Sequence, residues 1–121
     1  MPDILGIDHI YIAVTDLARS EGFYDRVMTI LGFRKNMFDI GGDPHIQYYN
    51  RHFGFVLRPA RGGGHYPYHP GLHHLCLRVD STADVAEAAA QLIAAGIAAM
   101  VEAPYPTLSA ATVGSAPVLS E

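Results

Sequence analysis

The sequence predicts an α+β fold built from a duplicated β-α-β-β-β unit, and three observations predict it. The first is that Ile7-Asp8-His9-Ile10-Tyr11-Ile12-Ala13-Val14 can be laid over Leu72-His73-His74-Leu75-Cys76-Leu77-Arg78-Val79. His9 then falls on His74, and Ile10, Ile12 and Val14 fall on Leu75, Leu77 and Val79. The second is that each segment leads through a short polar turn into a helical pattern. The third is that both patterns stop at a glycine, in Leu31-Gly32-Phe33 and in Ala95-Gly96-Ile97, with the register kept to within one residue. Self-similarity of this kind reads as two half-domains with the same order of elements.

The first strand shows a two-residue period, with Ile10, Ile12 and Val14 on one face and His9, Tyr11 and Ala13 on the other. A helix follows over about Asp16 to Leu31. Asp16 suits the N-cap, Leu17, Tyr24, Val27, Met28 and Leu31 recur at helical spacing, and Gly32 suits the position after the C-cap. Strands are expected at Phe33–Met37, His45–Asn50 and Phe53–Arg58, separated by a Gly41-Gly42-Asp43-Pro44 turn and by Arg51-His52. Residues 61–71, from Arg61-Gly62-Gly63-Gly64 to Pro70-Gly71, form a linker too rich in Gly and Pro for regular structure. The second half opens with a strand over Leu75 to Val79, where Leu75, Leu77 and Val79 alternate with Cys76 and Arg78. Its helix runs from about Thr82 to Ala95, with Val85, Ala89 and Leu92 on one face and alanines that favour helix. The expected organisation is thus a single domain over 1–121, with a first module at 1–60, a linker at 61–71 and a second module at 72–121. In the second module the pattern is lost after about residue 103. From Pro104 onward the chain is rich in small residues without clean alternation, and the last strands that the repeat calls for are not recognisable.

The chain has 121 residues, 50% of them hydrophobic, and a formal charge of −4. That length suits one domain with a real core. The acidic balance gives no basic face for nucleic acid, and no apolar run is long enough for a membrane helix. The single cysteine, Cys76, excludes an intrachain disulfide. With no signal-peptide pattern at Met1-Pro2-Asp3-Ile4, the expectation is a cytoplasmic protein.

Seven histidines stand in this short chain, and two of them carry the chemistry. His9 and His74 occupy matching positions on the strand face opposite the apolar row, so packing the halves about a pseudo-twofold axis would bring the imidazoles together. Two neutral imidazoles plus a carboxylate make a site for Fe, Mn, Zn or Ni with open positions for substrate. His65, His69 and His73 recur every four residues, but Pro67, Pro70 and Gly71 forbid the helix that would align them. His45, Gln47 and Tyr49 alternate with Ile46 and Tyr48, so one set could line a cup as substrate contacts, His45 and Tyr49 foremost, and Arg58 is a candidate for an anionic group. Cys76 shares the His74 face, and packing is the preferred reading, because the base that a catalytic cysteine needs is not evident.

The run Ile7-Asp8-His9-Ile10-Tyr11-Ile12-Ala13-Val14-Thr15-Asp16-Leu17, then Phe23-Tyr24 and Leu31-Gly32-Phe33, resembles the opening of the glyoxalase/bleomycin resistance protein/extradiol dioxygenase superfamily, the vicinal oxygen chelate (VOC) fold. Gly71-Leu72-His73-His74-Leu75-Cys76-Leu77-Arg78-Val79 resembles the start of its second module, and the resemblance covers about Leu5 to Ile97. It implies two βαβββ modules whose curved sheets form a cup around a divalent metal, with His9 and His74 matching the family's two metal-binding histidines. The family's third ligand is a glutamate in the last strand of either module. Here His52-Phe53-Gly54-Phe55-Val56-Leu57-Arg58 contains no carboxylate, and neither Glu102 nor Glu121 stands in the family's setting.

The resemblance implies a divalent-metal-dependent lyase or isomerase (lactoylglutathione-lyase-like), or a ring-cleaving dioxygenase, acting on a small oxygen-chelating substrate. Two alternatives stand beside it. One is a non-catalytic, bleomycin-resistance-like binding protein. The other is a truncated or frame-altered member without a complete metal site. A second half lacking its last strands would leave a sheet edge and an apolar face uncovered, so a homodimer is expected.

Overall fold

In the computed structural model, the described residues are 1–62, 70–72 and 75–97, together with the backbone of 107–113 and 116–119. The first half contains β1 (His9–Val14), α1 (Leu17–Ile30), β2 (Arg34–Ile40), β3 (Asp43–Tyr49) and β4 (Gly54–Pro59). These strands form one sheet in the order β1-β4-β3-β2, with β1 parallel to β4 and the other neighbours antiparallel. The second half contains β5 (Leu75–Arg78), α2 (Thr82–Ala94), β6 (Thr107–Val113) and β7 (Ala116–Leu119).

The two helices end in the same way, which is the repeat expressed as hydrogen bonds. Gly32 N–H donates to Thr29 O and Phe33 N–H to Met28 O, while Gly96 N–H donates to Ile93 O and Ile97 N–H to Leu92 O. This is the Schellman pattern, and it needs a left-handed residue after the C-cap; Gly32 and Gly96 supply it at φ 86° and 79°. The N-termini match too. The Asp16 side chain accepts from Arg19 N–H, and the Ser81 hydroxyl accepts from Asp84 N–H. As the spacing predicts, Tyr24, Val27 and Met28 of α1 and Val85, Ala89 and Leu92 of α2 are buried.

One core joins the halves. Ile12, Val14, Tyr24, Val27, Met28, Ile46, Tyr48, Phe55 and Leu57 pack with Leu92 and Ile97. Arg26 of α1 adds a hydrogen bond to the Ala95 carbonyl at the end of α2, 2.6 Å long. On the same face the Tyr48 hydroxyl donates to Asp25, and Lys35 of β2 bridges Glu21 and Asp25 of α1, so polar groups fasten the helix across the sheet. Burial, together with that donation to Asp25, pushes the Tyr48 phenol well above its ordinary pKa.

The structure departs from the sequence reading at two places. The turn before β3 is only Gly41-Gly42, both at positive φ as a two-residue primed hairpin requires, so β2 extends to Ile40 and Asp43 and Pro44 belong to β3. Residues 107–113 and 116–119, where no strand was recognisable, form the hairpin β6–β7, and β6 pairs antiparallel with β5. The signal overlooked there is Gly114-Ser115, a pair suited to a two-residue link, beside the β-branched Thr107, Thr112 and Val113. Yet the second half is altered, as expected, because β5 lies against β6 antiparallel while β1 lies parallel to β4. The strand expected to continue from Ile97, and residues 63–69 of the expected linker, lie outside the described residues.

Leu57 on β4 is fully buried at the centre of this core. Truncation there removes the contacts of both the sheet and α1, so Leu57→Ala is expected to lower stability by about 2–5 kcal/mol, read as a shift of the urea-unfolding midpoint.

Candidate functional site

Strand alternation divides the first sheet into a helix-covered face and an open, cup-like face. On β1 the helix side takes Ile10, Ile12 and Val14, leaving His9, Tyr11 and Ala13 on the cup side. The strand registers then fix three cross-sheet rows. His9 pairs with Gly54, Gly54 with Tyr49, and Tyr49 with Arg34. Tyr11, Val56, Gln47 and Asn36 follow in the next row. Ala13 beside Arg58, and His45 beside Phe38, make the third.

The first row borders a cleft of about 350 Å³ whose walls include His9, Asn36, Gln47, Tyr49, Arg51 and His52. The turn that carries Arg51 and His52 is built by Asn50, whose side-chain oxygen accepts from the backbone N–H groups of His52 and Phe53. His9 is more than half exposed, and its Nδ1 lies 2.8 Å from an Asp8 carboxylate oxygen. A carboxylate oxygen accepts, so Nδ1 carries the proton and the neutral ring keeps its lone pair on Nε2. Asn36 donates to Gln47 Oε1 at 3.3 Å, which leaves the Gln47 Nε2 protons as donors.

Of the residues singled out from sequence, the structure brings His9, Gln47 and Tyr49 to this one cleft. His74 lies outside the described residues. His45 is buried, 1% exposed, and its Nδ1–H donates to the Asp43 carbonyl at 2.9 Å. Its ring stacks on Phe38 with centroids 5.1 Å apart and meets the Tyr11 ring edge-on at 5.6 Å. Tyr11 in turn meets His9, centroids 5.5 Å apart, so an aromatic line crosses the cup from His9 to Phe38. Arg58 donates to the Asp43 carboxylate at 2.6 Å, and Arg61 donates to the same oxygen at 2.6 Å. Asp43 therefore holds His45 by its backbone and Arg58 by its side chain.

Sequence reasoning missed Asp8, Tyr11 and Asn36, while Gln47 belongs to the alternating set already expected to line the cup. Asp8 was legible as the neighbour of His9, and Tyr11 as its partner on the same strand face. Asn36 became a cup residue only through the register of β2 with β3.

A divalent metal needs several donors, and the cup-facing positions of β4 are Gly54, Val56 and Arg58, none of them a ligand. Among the described residues no group of three or more His, Cys, Asp or Glu side chains is placed to hold a metal ion. His9 fits one ligand position, with its tautomer fixed by Asp8 as outer carboxylates fix metal-binding imidazoles.

The paired arginines make the Asp43 linkage pH-dependent. The hydrogen bond from Arg61, and that from Arg58, hold the Asp43 carboxyl below its ordinary pKa. A depressed carboxyl contributes stability above its unfolded-state value, near 4, and loses it as pH falls through the folded value. Asp43→Asn is therefore expected to unfold at lower urea than wild type at neutral pH, with the gap closing below about pH 4. A gap of constant size across that range would contradict the linkage.

Comparison with known proteins adds the family. The model of the Glyoxalase/Bleomycin resistance protein/Dioxygenase superfamily matches residues 6–112. A glyoxylase/bleomycin resistance protein/dioxygenase domain from Frankia sp. EAN1pec is similar in structure, with a TM-score of 0.68 and 22% identity over 98% of each chain. An integron cassette protein from the mobile metagenome of V. cholerae is similar at a TM-score of 0.57 and 18% identity, over 99% of this chain and 98% of that one. No curated protein matches at a significant level. With the duplicated helix ends, the cup-forming sheet and the family match over most of its length, the chain belongs to the glyoxalase/bleomycin resistance protein/dioxygenase superfamily.

Proposed function

We propose that the chain binds a small oxygen-bearing molecule in the cup lined by β1–β4, with a divalent metal held by His9 and His74, and acts on it as a lyase or isomerase or as a dioxygenase. The observation that carries this reading is the Asp8–His9 hydrogen bond of 2.8 Å at the rim of a polar cleft. It leaves the His9 Nε2 lone pair available for a ligand bond. Members of the superfamily commonly use divalent metals, and such an ion would supply Lewis acidity toward substrate oxygens.

The remaining roles fall to the cup-facing side chains. Tyr49 lines the cleft, which supports a direct contact with substrate. His45 acts through the ring of Tyr11, which it supports from beneath, and Arg58 contributes positive charge under the restraint of Asp43. The reading takes 1–60 and 72–121 as two modules joined by 61–71. It takes the working form as a cytoplasmic homodimer. Met37 and Ile40, more than half exposed on the edge strand β2, support a partner at that edge. None of the described helices is long and apolar enough to cross a membrane.

A second reading, binding without chemistry, is favoured by one specific feature. Beside His9 on β4 stand Gly54 and Val56, where a third ligand would need a carboxylate. Metal analysis of the purified full chain separates the two. The metal reading expects roughly one divalent ion per chain, lost in His9→Ala and in His74→Ala, and held about 10–100-fold more weakly in Asp8→Asn. Failure of wild type to retain any such ion, or retention unaffected by both histidine variants, contradicts it. Ligand binding that persists in a chelator would then leave the second reading. Light scattering at micromolar protein is expected to give twice the chain mass, and a monomer's mass contradicts the dimer.

A further inference from the structure

The described half of the cup has a donor where a metal ligand would be needed. Gly54 lies beside His9 in the strand register, and a Cβ placed on it would come within 3.2 Å of Gln47 Nε2 and 3.5 Å of His9 Cβ. The Gln47 amide thus lies over the glycine, next to the base of His9, and a side chain on residue 54 would have to push it aside by a few tenths of an ångström. Its oxygen is engaged by Asn36, and its N–H groups have no acceptor among the described residues. Two exposed cations border the same wall. Arg34 is the cross-strand partner of Tyr49, and Arg51 lines both the cleft and the adjoining hollow that Arg34 reaches. Among the described residues Asp8 is the only carboxylate on the cleft wall, and it is engaged by His9.

Among the described residues a free N–H donor, two guanidinium groups and no uncommitted carboxylate favour an anionic oxygen ligand. We infer that the cup takes a small organic acid through its carboxylate, that Gln47 Nε2 is the donor that reads it, and that Gly54 keeps this donor in place. This rests on the reading of the cup as the binding site, but it needs no metal in the described half.

The test uses the full ¹⁵N-labelled chain in the presence of a chelator, titrated with propionate and separately with its neutral counterpart, propionamide. Propionate is expected to move the side-chain amide signals of Gln47 and the backbone signal of Gly54, with propionamide binding at least about tenfold more weakly. Gln47→Leu is expected to weaken propionate about tenfold or more. Gln47→Glu, which keeps the side chain's shape, is expected to abolish binding, and Gly54→Ala to weaken it by displacing the same amide. Equal binding of acid and amide overturns the ligand class while leaving the cup as a binding site. Unchanged propionate affinity in both Gln47 variants overturns the role of Gln47. If neither probe moves any cup signal, this inference and the reading of the cup fall together.

Discussion

The site depends on the position of β4, which is hydrogen-bonded on both sides, to β1 in parallel and to β3 antiparallel. A central strand is buried on both faces, and Gly54, Phe55, Val56 and Leu57 all are. Phe55 and Leu57 go to the helix side and fix the core, and each such side chain contributes about 1.5–3 kcal/mol by leaving water. Gly54, Val56 and Arg58 are left to floor the cup. Because the floor is small or apolar toward its His9 end, the polar groups of that end come from the flanking strands and the turn after β3. His9 stands on one side of Gly54, and Gln47, Asn36 and Tyr49 on the other.

The two faces of the same sheet use charge differently. On the covered face, Lys35, Glu21, Asp25 and the Tyr48 hydroxyl satisfy one another and tie α1 to β2 and β3. Partnered groups of this kind fix geometry more than they add stability, since exposed ion pairs contribute little. On the open face, Asp43 restrains Arg58, while Arg51 lines the cleft and Arg34 the hollow beside it. The imidazole of His45 is fully enclosed between Phe38 and Tyr11, which makes it a support for the aromatic line rather than an exposed contact.

Much of this was legible before any coordinates. Period-two alternation in Ile10, Ile12 and Val14, the capping residue Asp16 and the glycines Gly32 and Gly96 each encode local structure through sterics, and β1, α1 and α2 follow from them. The pairing of His45 with Phe38, and of Gln47 with Asn36, was not legible, because register depends on contacts between strands distant in sequence. Asp43 was misassigned to the turn because Asp and Pro are frequent turn residues, whereas Gly41 and Gly42 alone meet the positive φ that this hairpin demands. β6 and β7 escaped notice because runs such as Ser109-Ala110-Ala111 lack the contrast between apolar and polar side chains on which strand reading relies. Within the site, His9 announced itself by its place in the repeat. Gln47 stood out only as one of an alternating set and Gly54 not at all, since an amide and a glycine acquire a joint meaning only when the fold lays one over the other.

The central claim is that the open face around His9 is where this superfamily member meets its metal and its ligand. Paramagnetic broadening by Mn²⁺ on the ¹⁵N-labelled chain tests it most directly, because the effect falls steeply with distance and needs no substrate. Selective loss of the Tyr11, Gly54 and Gln47 signals is expected at low ion concentration, while Tyr24 and Val27 of α1 persist. Broadening centred on Glu21 and Asp25 across the sheet, or none at all, would contradict it.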